Sequence, residues 1–200
     1  MFYILLKYLI GPFILLVLRP IVHGKQNLMI KGKAIFVCNH ISMGDPMVIG
    51  IVSPRIVHFM AKKELFSSGV GNLFFRSLFA FPVNRSAVDL QSLKNALSVL
   101  NSGKVFGIFP EGKRAITGRL DEFEKGAALL AIRSGAPVIP MYIYPDSYRR
   151  VHPIMMVGKP IDVNNLIANS SKSTLVDVVT DEISDSIDAL RVELEEMYCR

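Results

Sequence analysis

The sequence predicts an α/β fold: a single layered domain with a mixed central sheet flanked by helices, preceded by a hydrophobic helical segment that binds membrane. Three observations carry this. Short β-rich runs alternate with longer stretches of helical period, the pattern of a layered α/β domain. The chain has 200 residues, half of them apolar, which suffices for one packed core and excludes a disordered or collagen-like chain. Mean hydropathy is +0.37, and much of the excess lies in the first 18 residues.

Residues 1–18 read MFYILLKYLIGPFILLVL, with Lys7 as the only charge, and Arg19-Pro20 closes the run. Pro12 would break or kink a helix near Gly11. No basic region precedes Lys7 and no small-x-small cleavage site follows, so a signal peptide is not expected. Three readings fit: a bent pair of short helices in one leaflet, a single short span, or a buried core helix. Residues 1–22 are taken as a membrane-attachment segment and residues 23–200 as the layered domain. Flanking Lys25, Lys31 and Lys33 favour an anionic cytoplasmic surface, so the expected location is the cytoplasmic face of the cell membrane, peripheral or monotopic.

Beyond this segment, strands are expected at 34–38 (AIFVC), 56–60 (IVHFM), 79–83 (FAFPV), 105–109 (VFGIF), 138–144 (VIPMYIY) and 154–157. Helices are expected at 46–52, 71–79, 87–101 and 123–134. In 87–101, Leu90, Leu93, Leu97 and Leu100 fall on one face. The last helix is the clearest: Leu175, Val179, Ile183, Ile187, Leu190, Leu194 and Met197 step by three and four, with acids opposite. Ser173 or Thr174 can cap its start.

Charge divides the chain. Residues 1–119 hold 15 Lys and Arg against 4 Asp and Glu, whereas residues 120–200 hold 8 against 13. A basic first part suits an anionic partner such as phosphate or acidic lipid. The cations are dispersed and no basic-aromatic repeat occurs, so no nucleic acid partner is expected. Two cysteines, Cys38 and Cys199, exclude a disulfide framework and a thiolate-built zinc site.

Candidate chemistry falls mostly at strand ends, where α/β folds place ligands. His40 follows the strand at 34–38, and Asp45 lies five residues on, at the start of a helix. A turn between them would bring the carboxylate to one imidazole nitrogen and favour the imidazolium formed when His40 takes a proton. A structural pair, with Asp45 as a helix cap, fits the same spacing. Phe109-Pro110-Glu111-Gly112-Lys113-Arg114 is a strand running into a tight turn and two cations. Phe81-Pro82-Val83-Asn84-Arg85 and Ala61-Lys62-Lys63-Glu64-Leu65 also end strands in cations. Arg suits phosphate because its planar fork binds two oxygens.

Together these residues resemble the glycerolipid acyltransferase family whose best-known members acylate lysophosphatidic acid, 1-acyl-sn-glycerol-3-phosphate. Asn39-His40 through Asp45-Pro46 is similar to the family's His-x4-Asp motif. Phe81 through Arg85 resembles its second block, the Phe109 to Arg114 run its Phe-Pro-Glu-Gly-Thr-Arg-Ser block, and Val138-Ile139-Pro140-Met141 its fourth. Ala61-Lys62 with Glu64-Leu65, and Phe123 with Lys125-Gly126-Ala127, extend the likeness over residues 33–160. Two departures stand out. Lys113-Arg114-Ala115 replaces Thr-Arg-Ser, and Val83-Asn84-Arg85 lacks the acid often found before the second-block arginine.

The resemblance implies a membrane-associated enzyme with no bound cofactor and no metal. Its co-substrate would be acyl-CoA or an acyl carrier protein, its acceptor a lysophospholipid, and its product phosphatidic acid. His40, oriented by Asp45, would take the sn-2 hydroxyl proton. Lys62, Arg85 and Arg114 would hold the acceptor phosphate. Glu111 and Gly112 would shape the turn or orient the acceptor glycerol. Backbone N–H groups near the helix start at Asp45 are the expected oxyanion donors. Three alternatives are weighed against it: the same reaction on another lysolipid, a thioesterase with Cys38 as nucleophile, and a non-catalytic module that binds anionic lipid. Gly-x-Ser-x-Gly is absent from the sequence, which argues against an α/β-hydrolase.

Overall fold

The computed structural model describes residues 6–84, 90–114, 122–145 and 152–198. Seven strands form one mixed sheet: β1 (Ile21–His23), β2 (Ala34–Cys38), β3 (Val57–Lys62), β4 (Ala80–Val83), β5 (Val105–Ile108), β6 (Val138–Ile143) and β7 (Ile154–Val157), in the order β1-β7-β6-β2-β5-β3-β4. β6, β2, β5, β3 and β4 run parallel; β7 is antiparallel to β6, and β1 pairs in parallel with β7. Of the parallel strands, β2, β4, β5 and β6 are apolar runs because helices cover both faces of the sheet. Every residue of β2 is buried, as is every residue of β6.

The helices are α1 (Gly11–Leu18), α2 (Asp45–Val52), α3 (Gly69–Ser77), α4 (Leu90–Asn101), α5 (Gly126–Ser134), α6 (Val163–Asn169) and α7 (Leu175–Tyr198). On one side of the sheet, α4 to α7 pack with Ile35, Val37, Phe106, Val138 and Tyr142 into the larger core. On the other side, α2 packs with Phe36, Cys38, Val57 and Phe59, and Leu18 and Val22 lie against them. Right-handed crossovers account for this division. The β2–α2–β3 and β3–α3–β4 connections step one way along the sheet; β4–α4–β5 and β5–α5–β6 step back. A right-handed hand therefore puts α3 on the side of α2, opposite α4 and α5.

The six expected strands form, with ends shifted by no more than two residues. β1 and α6 were not anticipated. β1 is three residues long and α6 seven, too short to display a period. In α4 the buried row is Ser92, Ala96 and Leu100, whereas Leu90 is exposed; the small residues on the contact line let the helix approach the sheet. The last helix forms as expected, and Thr174 O, just before its first residue, accepts from Val178 N.

The N-terminal segment is helical across the expected break. A π-helical turn, Leu6–Ile10, runs into α1 at Gly11, which is buried, one residue before Pro12. Pro12 has no N–H to give, so the change of helix type falls there. Lys7 Nζ donates to Ser53 O and Arg55 O, both at 2.6 Å, and ties the segment to the end of α2. Burial pushes the Lys7 ammonium down to about 8. At the far end Leu18 O bonds His152 Nδ1 at 2.9 Å. Tyr8, Leu9, Phe13, Leu16 and Val17 remain exposed along it. Among the described residues no helix is long and apolar enough to cross a membrane.

Candidate active site

The site begins where β2 stops. Asn39 is buried, and its amide replaces a rung of the sheet: Nδ2 donates to Ile143 O at 2.9 Å and Oδ1 accepts from Ile143 N at 2.7 Å. That clamp ends the strand on β6 and fixes the backbone from which His40 projects. The chain turns through Ile41 to Gly44 and enters α2 at Asp45, with Pro46 in its first turn, where a missing N–H costs nothing.

Asp45 is fully buried, and one of its oxygens organises the turn. Oδ2 accepts from His40 Nδ1, Ile41 N and Ser42 N, each at 2.8 Å. Two backbone donors hold the carboxylate in place, and the carboxylate holds the imidazole by Nδ1. The tautomer with hydrogen on Nδ1 leaves Nε2 as the basic nitrogen. Several N–H groups near the helix start are otherwise engaged. His40 N donates to Glu111 Oε1 at 3.3 Å, Gly44 N to Ser42 Oγ at 3.1 Å and Asp45 N to Ser42 O at 3.2 Å. The turn therefore spends these N–H groups on building itself.

Behind the imidazole lies an aromatic stack. The His40 ring rests on Phe109 with centroids 4.2 Å apart and planes 21° apart, and Phe109 rests on Phe59 at 5.9 Å and 10°. Gly107 makes the stack possible. A Cβ there would lie 2.2 Å from Phe59 Cε1, so only glycine admits that ring over β5.

The turn after β5 supplies the opposite wall. Gly112 adopts φ 64°, and a Cβ on it would meet Glu124 Oε1 at 2.3 Å. Glu124 N bonds Pro110 O at 2.8 Å, which joins the turn to the approach of α5. Glu111 is buried and braces the His40 backbone.

His40, Phe109, Glu111, Gly112 and Lys113 line a cavity of about 800 Å³ that is also lined by Met60, Leu90, Leu93, Ala96, Leu129 and Leu130. It thus joins a polar wall carrying the dyad to an apolar wall from α4 and α5. Asn84, Glu122, Glu124 and Lys125 line it too.

The cations are distributed unevenly about it. Lys113 lines the cavity, whereas Lys62 and Arg114 are exposed and are not among its lining residues. Lys62 Nζ lies 3.7 Å from Glu64 Oε1. Arg85 falls outside the described residues. Asn39 was expected only as part of the His40 motif, with no role of its own, and Phe59 and Gly107 were not expected at the site. The one legible signal among them was a glycine inside an apolar strand, which marks a close approach.

The remaining candidates have other roles. Burial, then the Asp45 and Glu111 carboxylates, push the Cys38 thiol well above its usual range, so a thiolate nucleophile is disfavoured. His58 is buried against Phe79 with Nδ1 3.3 Å from Val105 O, and burial with nearby Lys104 lowers its basicity. His23 bonds Tyr198 at 3.0 Å. Among the described residues no three His, Cys, Asp or Glu side chains gather as metal ligands.

Comparison with known proteins agrees with this geometry. The profile of the family described as Acyltransferase matches residues 19–144. The chain is 29% identical over 182 residues to a 1-acyl-sn-glycerol-3-phosphate acyltransferase of Bacillus subtilis, covering 88% of this chain and 90% of that one. It is 24% identical to the Borreliella burgdorferi protein of the same name, over 88% of this chain and 74% of the relative. Among solved structures, the crystal structure of the 1-acyl-sn-glycerophosphate acyltransferase PlsC from Thermotoga maritima shares the fold. Its TM-score is 0.68 at 24% identity, covering 91% of this chain and 80% of that one.

Proposed function

The chain belongs to the acyltransferase family, and from that premise we propose that it moves a fatty acyl group from an acyl thioester to the sn-2 hydroxyl of 1-acylglycerol-3-phosphate, giving phosphatidic acid. The observation that carries this is the Asp45 carboxylate held 2.8 Å from His40 Nδ1, beside a cavity with one polar and one apolar wall. Nε2 of His40 takes the proton of the acceptor hydroxyl as that oxygen attacks the thioester carbonyl. The C–S bond then breaks, and the imidazolium returns the proton to the departing thiolate. No acyl-enzyme forms. Asp45 is a positioning residue: it fixes the tautomer and balances the imidazolium charge.

The donor is acyl-CoA or an acyl carrier protein. Arg114, Arg85 and Lys62 bind the acceptor phosphate; Gly112 and Glu111 keep the turn that presents it. Residues 1–22 hold the enzyme to the cytoplasmic face of the membrane, because the exposed Tyr8, Leu9, Phe13 and Leu16 form an apolar strip that lipid covers. The catalytic domain occupies residues 23–200.

Acyl transfer to 1-acylglycerol-3-phosphate and to 1-acylglycerol, with the products phosphatidic acid and diacylglycerol measured directly, tests the acceptor. Arg114→Ala is expected to weaken the phosphorylated acceptor about ten- to a hundred-fold, as for a lost charge-assisted bond, and to leave the other unaffected. An equal defect on both acceptors refutes the phosphate role.

A further inference from the structure

α3 is an amphipathic helix whose apolar face is exposed. None of its described side chains is buried. Val70, Leu73 and Phe74 stand at i, i+3 and i+4 with 82, 74 and 45% of their surface exposed. The helix is nevertheless built firmly. Ser68 Oγ accepts from Gly71 N at 3.0 Å as its cap, and Phe75 packs on Phe66 at 5.5 Å. A Cβ at Gly71 would lie 2.4 Å from Leu65 O, so the helix is seated closely on the preceding turn. Its outward face is therefore presented in order, at little further cost in entropy.

Charge indicates what covers that face. Lys62, Lys63 and Arg76 are exposed in and beside it, and Glu64, the one acid among the described residues of the β3–α3–β4 segment, lies against Lys62. An apolar row rimmed by cations matches an anionic lipid surface, with acyl chains for the row and headgroups for the rim. Position agrees. α3 leaves β3 at Lys62, on the sheet edge that carries His40, and shares its side of the sheet with α1. Met43 and Met47, at the start of α2, are exposed on that same side.

We propose that α3 is a second lipid-contact element, which inserts Val70, Leu73 and Phe74 into an anionic membrane and, with α1, seats the mouth of the site against the bilayer. This rests on the reading that the enzyme works at a lipid surface. One contact leaves the domain free to swivel; two fix how its active-site edge faces the membrane.

The chain has no tryptophan, so Leu73→Trp and Phe13→Trp each carry a single reporter. Full-length variants are mixed with vesicles of phosphatidylglycerol and phosphatidylcholine, with or without brominated acyl chains. Leu73→Trp is expected to shift to the blue and lose at least about half its emission to brominated lipid. In a parallel partition assay, Leu73→Glu should lower vesicle binding about tenfold or more. If Phe13→Trp is quenched and Leu73→Trp is not, the inference fails while attachment through α1 stands. If neither is quenched, the lipid-surface reading fails and the inference with it. A Leu73→Trp shift that appears without lipid and grows with protein concentration would assign the face to a second copy and overturn the proposal. So would a shift produced only by an acidic carrier protein.

Discussion

On one side of the sheet, α4 to α7 bury apolar rows and α7 presents acids to solvent; on the other, α1 and α3 leave large apolar side chains bare, α2 exposes Met47 while burying Val48, Ile49 and Val52, and exposed cations lie beside α3. The long helix α7 shows the first pattern. Val179, Ile183, Ile187 and Leu194 are almost wholly buried, and Asp181, Glu182, Asp185, Glu193 and Glu196 face out. Among the described residues, only Leu90, Val192 and Met197 are exposed large hydrophobics beyond residue 74; the others fall within residues 8–74. High hydropathy therefore means two things in one chain. On the α7 side it builds the core. On the α1 side it exceeds what the core takes in and is left for another apolar phase.

The same kind of truncation should accordingly act differently on the two sides. Ile187→Ala removes a fully buried side chain from the larger core and should cost about 2–5 kcal/mol, a large share of a domain's stability, seen as an earlier denaturant midpoint. An unchanged midpoint would mean that α7 is only loosely docked. Gly107→Ala lies between the two sides. Its methyl would displace Phe59 and tilt Phe109 and His40 with it, so acyl transfer should fall about tenfold to a hundred-fold. Wild-type turnover would show that the stack does not orient the imidazole. Phe13→Ala, on the exposed strip, should scarcely alter thermal stability and should weaken vesicle binding about tenfold. A large loss of stability there would make α1 part of the core.

Most of the fold was legible because period and burial agree. β2 and β7 are continuous apolar runs with the expected bounds, and α7 repeats its apolar residues at three and four. What the sequence hid was set by long-range packing. β1 becomes a strand only because Ile154 to Met156 offer it an edge. Leu90, Leu93 and Leu97 look like a core stripe, but Ser92 and Ala96 are the buried positions, with Leu93 and Leu97 packed at the core's margin and Leu90 exposed. At the site, His40 and Asp45 were legible from their spacing, since five residues is the length of turn that returns the carboxylate to the ring. Asn39 and Phe59 were not, because each acts on a residue far away in the chain: Asn39 on Ile143, and Phe59 on Phe109.

The His40–Asp45 dyad is the centre of the account, and the rate of acyl transfer by purified His40→Ala tests it most directly. His40 stands beyond the end of β2 beside the cavity, so its truncation should leave the circular dichroism spectrum and the denaturant midpoint near those of the wild type. Transfer to 1-acylglycerol-3-phosphate should fall about 10²–10⁴-fold, the contribution of a positioned general base. Wild-type turnover by a folded His40→Ala protein would contradict it and move the chemistry elsewhere in the cavity.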